Sequence, residues 1–502
     1  MREKRLKYTT LASLMFQIVA VVCGFVLPRL LLDSYGSSVN GLVNSIAQFL
    51  GIINFMELGV GAVVQSALYE PLAVNDKDAV DSILKSGSNF YKKIAILLIA
   101  YTGVLLIVFP TLVNDSFEPL FTCFLILAMF ISSLAQYYFG IVDRLLLTSD
   151  QKGYIQYIAQ TITILVNTIT SAILIKVGVG IIGVKLCTSI IFVGQPIFVR
   201  LYISKHYSID RKVIISNEPI KQKWNGLAQH VAAVVLDSTD TIVLTIFSTL
   251  ENVSIYSVYH LVIYGVKNLF TVITNGIQSY WGNMWAKKEY DQLKKSFNYF
   301  EWLIHNCVVL IFGCTGILIV PFVKVYTLGI DDINYTVPIF AALITIAHGC
   351  HCLRLPYHIL IKAVGHYKQS EGNYIIAVIL NVAISIATVK LWGLIGVAIG
   401  TLIAMLYQTI WMAWYDRKSV IYESLYGFIK ILIVDLCCIV TGTFVSSFMN
   451  ITQIDYFAWV ILAIKVFFCW FVVILIFNMI FYRSNTMKFL KKISIVSKFK
   501  SV

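Results

Sequence analysis

Ionisable side chains inside long apolar runs are the residues of this sequence most able to do chemistry. The run 335–362 carries Arg354 and three histidines, and the run 253–283 carries Lys267. A charge in the hydrocarbon region of a bilayer costs a few kcal/mol, so each one is expected to face a polar cavity or a partner. The chemistry that this placement predicts is binding of a polar ligand or an ion.

The run 335–362 places its basic residues on one side of a helix. At about 100° per residue, they fall within an arc of about 120°. Lys362 and His358 lie toward the predicted helix end, where a long side chain can reach the interface. Arg354 lies about two turns deeper, so we predict that it faces a polar cavity. The full basic stripe is His348, His351, Arg354, His358 and Lys362.

The run 253–283 carries a second stripe, with polar residues spaced by threes and fours. Its members are His260, Tyr264, Lys267, Thr271, Thr274 and Gln278. On the preceding run, Asp237 and Asp240 share a face, so Asp237 is a candidate to neutralise Lys267 from the adjacent helix. A purely structural ion pair explains the same pattern.

Polar residues of the N-terminal region complete the candidate set. Arg29 follows Pro28 near the predicted outer end of the first helix, and Asn44 shares about half a helical circumference with Glu57. Glu57 lies in the second predicted helix, more than four turns from the external end of that helix, which predicts a partner or a cavity. Together with Asp237 and Asp240, it could form an ion-coupling site, because intramembrane carboxylates often relay protons.

The apolar runs themselves identify the elements that position these residues. The chain has 502 residues, of which 58% are hydrophobic and 13% charged, whereas soluble proteins carry about 25% charged residues. Runs of about 20 apolar residues follow one another, and lipid-exposed backbone must form helices. The predicted class is an all-α polytopic membrane protein with fourteen helices: 9–32, 40–68, 92–113, 118–142, 154–176, 181–203, 224–248, 253–283, 297–325, 335–362, 371–390, 394–415, 426–449 and 457–481.

The distribution of basic residues orients this map. Of the 39 Lys and Arg residues, only Lys176, Lys185, Lys324 and Lys390 lie on the side of its odd-numbered loops, and five more lie within helices. Basic residues concentrate on the cytoplasmic side of membrane proteins, so both termini are predicted to face the cytoplasm. The net charge of +13 then reflects topology and contact with anionic membrane lipids, which argues against nucleic-acid binding.

An internal repeat divides the predicted helices into two groups. Segments 164–184 and 379–397, about 214 positions apart, each hold Ile-Leu before an asparagine, a lysine nine positions later, and Gly-(Ile/Leu)-Ile-Gly-Val. The repeat predicts two parallel six-helix lobes with a substrate cleft between them. The predicted divisions are an N-terminal lobe 1–204, a cytoplasmic linker 205–223, a C-terminal lobe 224–415, and helices 13 and 14 with a basic tail, 416–502.

No cofactor or metal site is predicted. The ten cysteines lie within apolar runs, and no cluster suggests a disulfide framework. Cys350-His351-Cys352 is a poor zinc site, because the two sulfurs would point about 200° apart on a helix.

Two segments resemble a known family. Between Val39 and Leu72 lie Asn40-Gly-Leu42, Gln48-Phe-Leu50, Glu57-Leu-Gly-Val-Gly61 and Ala67-Leu-Tyr-Glu-Pro-Leu72. This stretch resembles the second helix of oligosaccharide-lipid (Wzx-type) flippases of Gram-positive capsule and exopolysaccharide loci. Glu251-Asn-Val-Ser-Ile-Tyr-Ser-Val-Tyr259 resembles the start of their eighth helix. These flippases belong to the multidrug/oligosaccharidyl-lipid/polysaccharide exporter superfamily, and fourteen helices in two lobes match it over essentially the whole chain.

The resemblance implies a transporter of the bacterial cytoplasmic membrane. It would flip an undecaprenyl-pyrophosphate-linked repeat unit to the outer leaflet, with a polysaccharide polymerase and glycosyltransferases as possible partners. Arg and Lys suit a pyrophosphate, while hydroxyl, amide and aromatic side chains suit sugars. The candidate substrate-binding residues are therefore Arg29, Asn44, Glu57, His260, Tyr264, Lys267, His351 and Arg354.

Two rival functions remain open. A drug or metabolite exporter of the same superfamily would favour an acidic or apolar cavity, whereas this one is predicted to be basic. A membrane polysaccharide polymerase or ligase would need a sizeable external loop for catalytic groups, and every predicted external loop has about ten residues or fewer. No Gly-x-x-x-x-Gly-Lys loop for ATP is present in the sequence. We therefore expect a transporter and no enzymatic activity.

The predicted topology is testable by thiol labelling of intact cells. On a cysteine-free background, single cysteines at Asn114 or Asn252 should react with an impermeant reagent, because both lie in predicted external loops. A cysteine at Ser216, in the predicted cytoplasmic linker, should not react. Labelling at Ser216 in intact cells would overturn the fourteen-helix map.

Overall fold

The computed structural model describes the backbone of residues 2–213, 227–274, 276–451 and 453–499. These residues form helices joined by short loops, with no strand among them. The predicted all-α class is confirmed. The helices are α1 Arg2–Gly51, α2 Phe55–Val74, α3 Lys77–Leu112, α4 Pro119–Ala135, α5 Ile141–Ser149, α6 Gly153–Lys176, α7 Ile181–His206, α8 Leu227–Phe247, α9 Leu250–Thr274, α10 Ile277–Ala286, α11 Tyr290–Tyr326, α12 Pro338–Leu353, α13 Leu355–Ala363, α14 Tyr367–Trp392, α15 Leu394–Asp416, α16 Tyr426–Ser446, α17 Tyr456–Phe481 and α18 Arg483–Phe499.

Within the described residues, eleven helical stretches are long and apolar enough to cross a membrane, so the chain is a multi-pass membrane protein. Large apolar side chains cover their outer surfaces. Ile18, Ile107 and Phe457 expose 66%, 74% and 77% of their area, which suits contact with lipid. The predicted spans without a stretch of their own among the eleven are 40–68, 224–248 and 253–283, so the number fourteen stays a prediction.

Gly36 separates the first two predicted helices. Its φ of 78° and ψ of 175° lie in a region that essentially only glycine adopts. The chain therefore kinks inside α1, within the loop predicted between 9–32 and 40–68. The second predicted helix is interrupted again by a 3-10 turn, Ile52–Asn54. The predicted eighth helix is also divided, because α9 ends at Thr274 and α10 begins at Ile277.

The chain forms two compact units, Met1–Ile255 and Tyr256–Val502. In the first, two apolar clusters fill the core, one around Leu98 and Leu146 and the other around Leu42 and Phe109. In the second, α11, α16 and α17 pack around Trp470, whose indole nitrogen donates to the Ser446 hydroxyl at 2.9 Å. The predicted linker 205–223 lies partly outside the described residues, and the predicted lobe boundaries stay a prediction.

Each copy of the internal repeat forms a helix hairpin, one in each unit. The hairpin α6–α7 buries Asn167 and Ser171, and α14–α15 buries Asn381 and Ser385 at the corresponding positions. Asn381 donates to the Thr401 hydroxyl at 3.1 Å, across that hairpin. Small polar residues that bond across helices allow close approach of two membrane helices.

Candidate functional site

Arg354 lies at a break in the tenth predicted helix. The sequence predicts one helix over 335–362, but α12 ends at Leu353 and α13 begins at Leu355. Pro356 is the physical reason, since its nitrogen has no hydrogen to donate to the carbonyl four residues earlier. The buried Arg354 lies at this junction with helical φ and ψ, and Pro338–Ala363 remains one continuous apolar stretch.

Five basic residues of the second unit form a connected group, which we call the basic cluster: His260, Lys267, His348, His351 and Arg354. The ring centroids of His260 and His348 are 6.0 Å apart, and those of His348 and His351 are 6.5 Å apart. Lys267 lies near enough for its charge to act on both His348 and His351. The structure therefore brings together the stripes predicted on the eighth and tenth helices.

Arg354 and His351 fix each other's orientation. An Nη2 hydrogen of Arg354 is donated to His351 Nδ1 at 2.9 Å. A guanidinium has only donors, so His351 Nδ1 accepts and its ring is the neutral tautomer protonated at Nε2. The other terminal nitrogen of Arg354 lies 3.9 Å from the Met405 sulfur. Two contacts of this buried cation are thus with uncharged groups.

His348 is the unsatisfied member of the basic cluster. Its side chain is buried, with 4% exposed, and neither ring nitrogen has a hydrogen-bond partner in the described structure. Buried polar groups in native proteins are usually paired, so an unpaired imidazole calls for a ligand, a water or a proton. His348 therefore offers two sites for a polar ligand beside the cations.

Aromatic side chains flank the basic cluster. Tyr256 stacks on His260 with ring centroids 5.3 Å apart, and Tyr264 lies 5.8 Å from the same imidazole. Tyr264 exposes 50% of its area. His358 hydrogen-bonds the Tyr374 hydroxyl at 2.6 Å. The predicted residues His260, Tyr264, Lys267, His351 and Arg354 thus form one site of cations with aromatic neighbours.

The remaining predicted residues belong to the first unit. Arg29 lies 3.5 Å from the carboxylate of Asp33, one turn along α1. Asn44 donates to the Asn40 backbone oxygen at 2.8 Å. These contacts are local to α1, so the structure gives Arg29 and Asn44 helix-stabilising partners.

Of the three carboxylates predicted to couple ions, the structure describes only the side chain of Asp240. The side chains of Glu57 and Asp237 lie outside the described part of the structure, although both residues are in helices, α2 and α8. Asp240 is described and has only 2% of its area exposed. The predicted pair of Asp237 with Lys267 and the predicted ion-coupling site therefore stay predictions. Within the described residues, no three histidine, cysteine or acidic side chains are grouped to hold a metal ion.

The two segments that carry the family resemblance meet in the first unit. Asn40 donates to the Ser254 hydroxyl at 2.8 Å, and Ser38 donates to Glu251 at 2.5 Å. Gly41 allows this approach, because a Cβ there would lie 1.8 Å from the Leu250 carbonyl oxygen. The short motifs therefore encode a contact between α1 and the start of α9, which explains why these residue types occur together.

Sequence reasoning missed a buried charged network in the second unit, which we call the acidic network. Its centre is Arg417, in a π-helical turn after α15, which donates to both oxygens of Glu301 at 2.8 and 2.6 Å. Glu423 also contacts Arg417, at 3.2 Å. Both bonds to Glu301 come from Arg417 Nη2, and charge-assisted hydrogen bonds of this kind are short and strong.

The acidic network continues from Glu301 through side-chain hydrogen bonds. The Tyr357 hydroxyl donates to Glu301 at 2.7 Å and lies 3.2 Å from His305 Nε2. His305 Nδ1 lies 2.6 Å from Asp435. A signal existed in the sequence, since Glu301 and His305 are four residues apart on one predicted helix and therefore share a face. Neither was paired with Arg417, because that residue lies beyond the predicted helix 394–415.

Solved structures with the same fold include transporters. No protein-family model matches the chain, and no curated protein sequence does. A structure described as lipid II flippase MurJ in an inward closed conformation matches with a TM-score of 0.71 and 17% identity. The match covers 95% of this chain and 98% of that one. The chain has the fold of MurJ.

Multidrug transporters share this fold. An inward-facing multidrug resistance MATE family transporter of the MOP superfamily has a TM-score of 0.62 and 14% identity, over 80% of this chain and 96% of that one. The Vibrio cholerae MATE transporter VcmN in its bent form has a TM-score of 0.55 and 12% identity, over 84% and 99%. The chain thus shares its fold with these transporters, and the identities are low enough that the likeness concerns fold alone.

Removing the charge of Glu301 tests the acidic network. We expect Glu301→Gln to lower the free energy of unfolding by about 3–5 kcal/mol, because it removes the buried charge partner of Arg417 and leaves only the partly exposed Glu423. The matched change Glu423→Gln should cost about 1 kcal/mol or less, since the Glu423 side chain is 24% exposed. Thermal unfolding of the purified protein in detergent measures both. Equal losses in the two variants would contradict this role for Glu301.

Proposed function

We propose that this protein flips an undecaprenyl-pyrophosphate-linked oligosaccharide from the inner to the outer leaflet of the bacterial cytoplasmic membrane. Two lobes would alternate in access, and the product would feed capsule or exopolysaccharide synthesis. The observation that carries the proposal is the basic cluster with its aromatic neighbours. Glycosyltransferases that build the lipid-linked substrate and a polymerase that consumes it are the partners this function would require.

The basic cluster suits the pyrophosphate. A guanidinium binds phosphate oxygens with two parallel hydrogen bonds, and an ammonium adds a compact charge. Arg354 and Lys267 supply these two groups. The unpaired nitrogens of His348 can donate or accept one more bond, depending on protonation. This combination favours an anion that presents several oxygens.

The aromatic neighbours suit a sugar. Tyr264 is half exposed, so its ring face suits the apolar side of a pyranose and its hydroxyl suits the polar edge, while the buried Tyr256 packs against His260. The two tyrosines lie on either side of His260 in sequence and pack against it. A headgroup of phosphate followed by sugar would thus find both kinds of partner along α9.

The fold comparison supports a lipid-linked substrate. The structure with the TM-score of 0.71 is described as a lipid II flippase, and we extend the substrate class, a lipid-linked polar headgroup, to this chain. Export of drugs is the second candidate, supported by the MATE transporters of the same fold. Charge argues against cationic drugs, because the basic cluster would repel them.

The charge of the proposed substrate predicts how transport is driven. A lipid pyrophosphate carries about two negative charges, and each gains or loses about 2.3 kcal/mol per 100 mV. Outward flipping moves these charges down the field. At 100 mV the gain is roughly 4 to 5 kcal/mol, about a thousandfold in the equilibrium ratio, provided that the protein's own cations do not travel with the substrate.

Flipping in proteoliposomes tests the proposal and its energy source. The full chain is reconstituted with a fluorescent pyrophosphate-linked lipid oligosaccharide, and a potassium-diffusion potential is compared with a pH or sodium gradient. We expect the potential alone to drive flipping. Arg354→Gln should slow it at least about tenfold, from loss of a charged hydrogen bond. Lys465→Gln should not, because Lys465 is an exposed cation of α17.

Two outcomes would contradict the proposal. If no gradient moves the lipid oligosaccharide while a cationic drug is transported, the function is drug export. If only a pH or sodium gradient drives flipping and Glu57→Gln abolishes it, the electrophoretic mechanism is wrong and ion antiport replaces it.

A further inference from the structure

A second polar pocket lies in the first unit, at the end where α3 begins and α7 ends. Its volume is about 170 Å³, smaller than the roughly 300–1,000 Å³ typical of drug-sized ligands. The positive-inside pattern predicts that this end faces the cytoplasm. The charged and aromatic residues that line it are Asp81, Lys85, Lys92, Tyr137, Tyr138, Phe139, Asp143, Arg200, Asp210 and Arg211.

A π-helical turn shapes the wall of this pocket. The turn Gln136–Gly140 joins α4 to α5. It directs three consecutive aromatic side chains to the lining, with Tyr137 buried and Tyr138 half exposed. Single π-helical turns inside α-helices often occur at functional sites.

Two cations of the pocket rest on aromatic rings. Lys92 Nζ lies 5.4 Å from the Tyr138 ring centroid, and the Arg200 guanidinium lies 5.9 Å from that of Phe139. Within the described chain, neither cation forms a direct ion pair with a carboxylate, although the charge of Arg200 acts on Asp143 from farther away. Cation–π contact fixes the position of a charge without neutralising it. Lys92 and Arg200 therefore remain able to bind an anion.

The pocket also holds one carboxylate with a spare acceptor. Asp143 is 1% exposed, and its Oδ1 accepts from Arg211 at 2.8 Å. Its Oδ2 has no hydrogen-bond partner in the described structure. By contrast, Asp81 accepts from the backbone N–H of Asp210 at 3.1 Å, which holds the loop after α7 in place. An unpaired buried carboxylate oxygen beside two cations suits a ligand hydroxyl.

We propose that this pocket binds a phosphorylated polyol, the chemistry shared by a phosphatidylglycerol headgroup and a soluble sugar phosphate. Lys92 and Arg200 take the phosphate, and Asp143 Oδ2 accepts a hydroxyl hydrogen. The pocket volume suits one such headgroup and excludes an oligosaccharide repeat unit. The site is distinct in sequence and in unit from the basic cluster, and it does not depend on the proposed transport function.

Equilibrium binding to the purified full chain tests the proposal. Glucose 1-phosphate is titrated onto protein in neutral detergent, and phosphatidylglycerol binding is measured by native mass spectrometry against phosphatidylcholine. We expect saturable binding of at least one probe. Lys92→Gln and Arg200→Gln should each weaken it about tenfold or more, through loss of a charged contact. Saturation by the lipid alone identifies a headgroup site, and saturation by glucose 1-phosphate alone identifies a soluble ligand.

Lys93→Gln is the matched control, because Lys93 is the exposed neighbour of Lys92 and does not line the pocket. Its affinity should equal that of the unmodified protein. Asp143→Asn should lower the affinity for glucose 1-phosphate relative to inorganic phosphate, which lacks the polyol. The proposal is wrong if neither probe saturates, if Lys93→Gln weakens binding as much as Lys92→Gln, or if Asp143→Asn leaves that ratio unchanged.

Discussion

The cost of holding charge away from water governs the internal structure of this protein. In the described part of the chain, eleven apolar helical stretches have outer surfaces that suit lipid, and any ionisable group among them must find a partner or a cavity. The acidic network meets this constraint with opposite charges: Arg417 is held by Glu301, and Tyr357 and His305 extend the hydrogen bonds to Asp435. In the basic cluster, Arg354 also contacts two uncharged groups, a neutral imidazole and a thioether.

The second unit therefore contains two buried polar groups of different composition, the acidic network and the basic cluster. In the acidic network Arg417 has opposite charges beside it, and the hydrogen bonds join α11, α13, α16 and the π-helical turn after α15. The basic cluster gathers cations around an unpaired His348, and an anion is the partner that this arrangement favours. The same logic distinguishes the pocket of the first unit, where aromatic rings carry Lys92 and Arg200. Glu301 neutralises the charge of Arg417, whereas the aromatic rings beside Lys92 and Arg200 do not neutralise those cations.

Much of this could be predicted from the sequence. Apolar run lengths predicted the helical class, and helical periodicity put His260 and Lys267 on one face and His351 and Arg354 on another. Periodicity could not predict the break at Arg354, which depends on Pro356, nor which faces meet. It also missed the pairing of Glu301 with Arg417, because the two are 116 residues apart and joined only by tertiary packing. Cation–π placement of Lys92 has no sequence signal, since it depends on a local π-helical turn.

Binding of a pyrophosphate by the basic cluster is the central property proposed for this protein. The direct measurement is the affinity of the purified protein for three lipids of equal chain length: undecaprenyl pyrophosphate, undecaprenyl monophosphate and neutral undecaprenol. We predict the tightest binding for the pyrophosphate and the weakest for the alcohol, with the preference largely lost in Arg354→Gln, because a planar guanidinium matches several phosphate oxygens. Equal affinity for the three lipids, or an unchanged preference in Arg354→Gln, would contradict it.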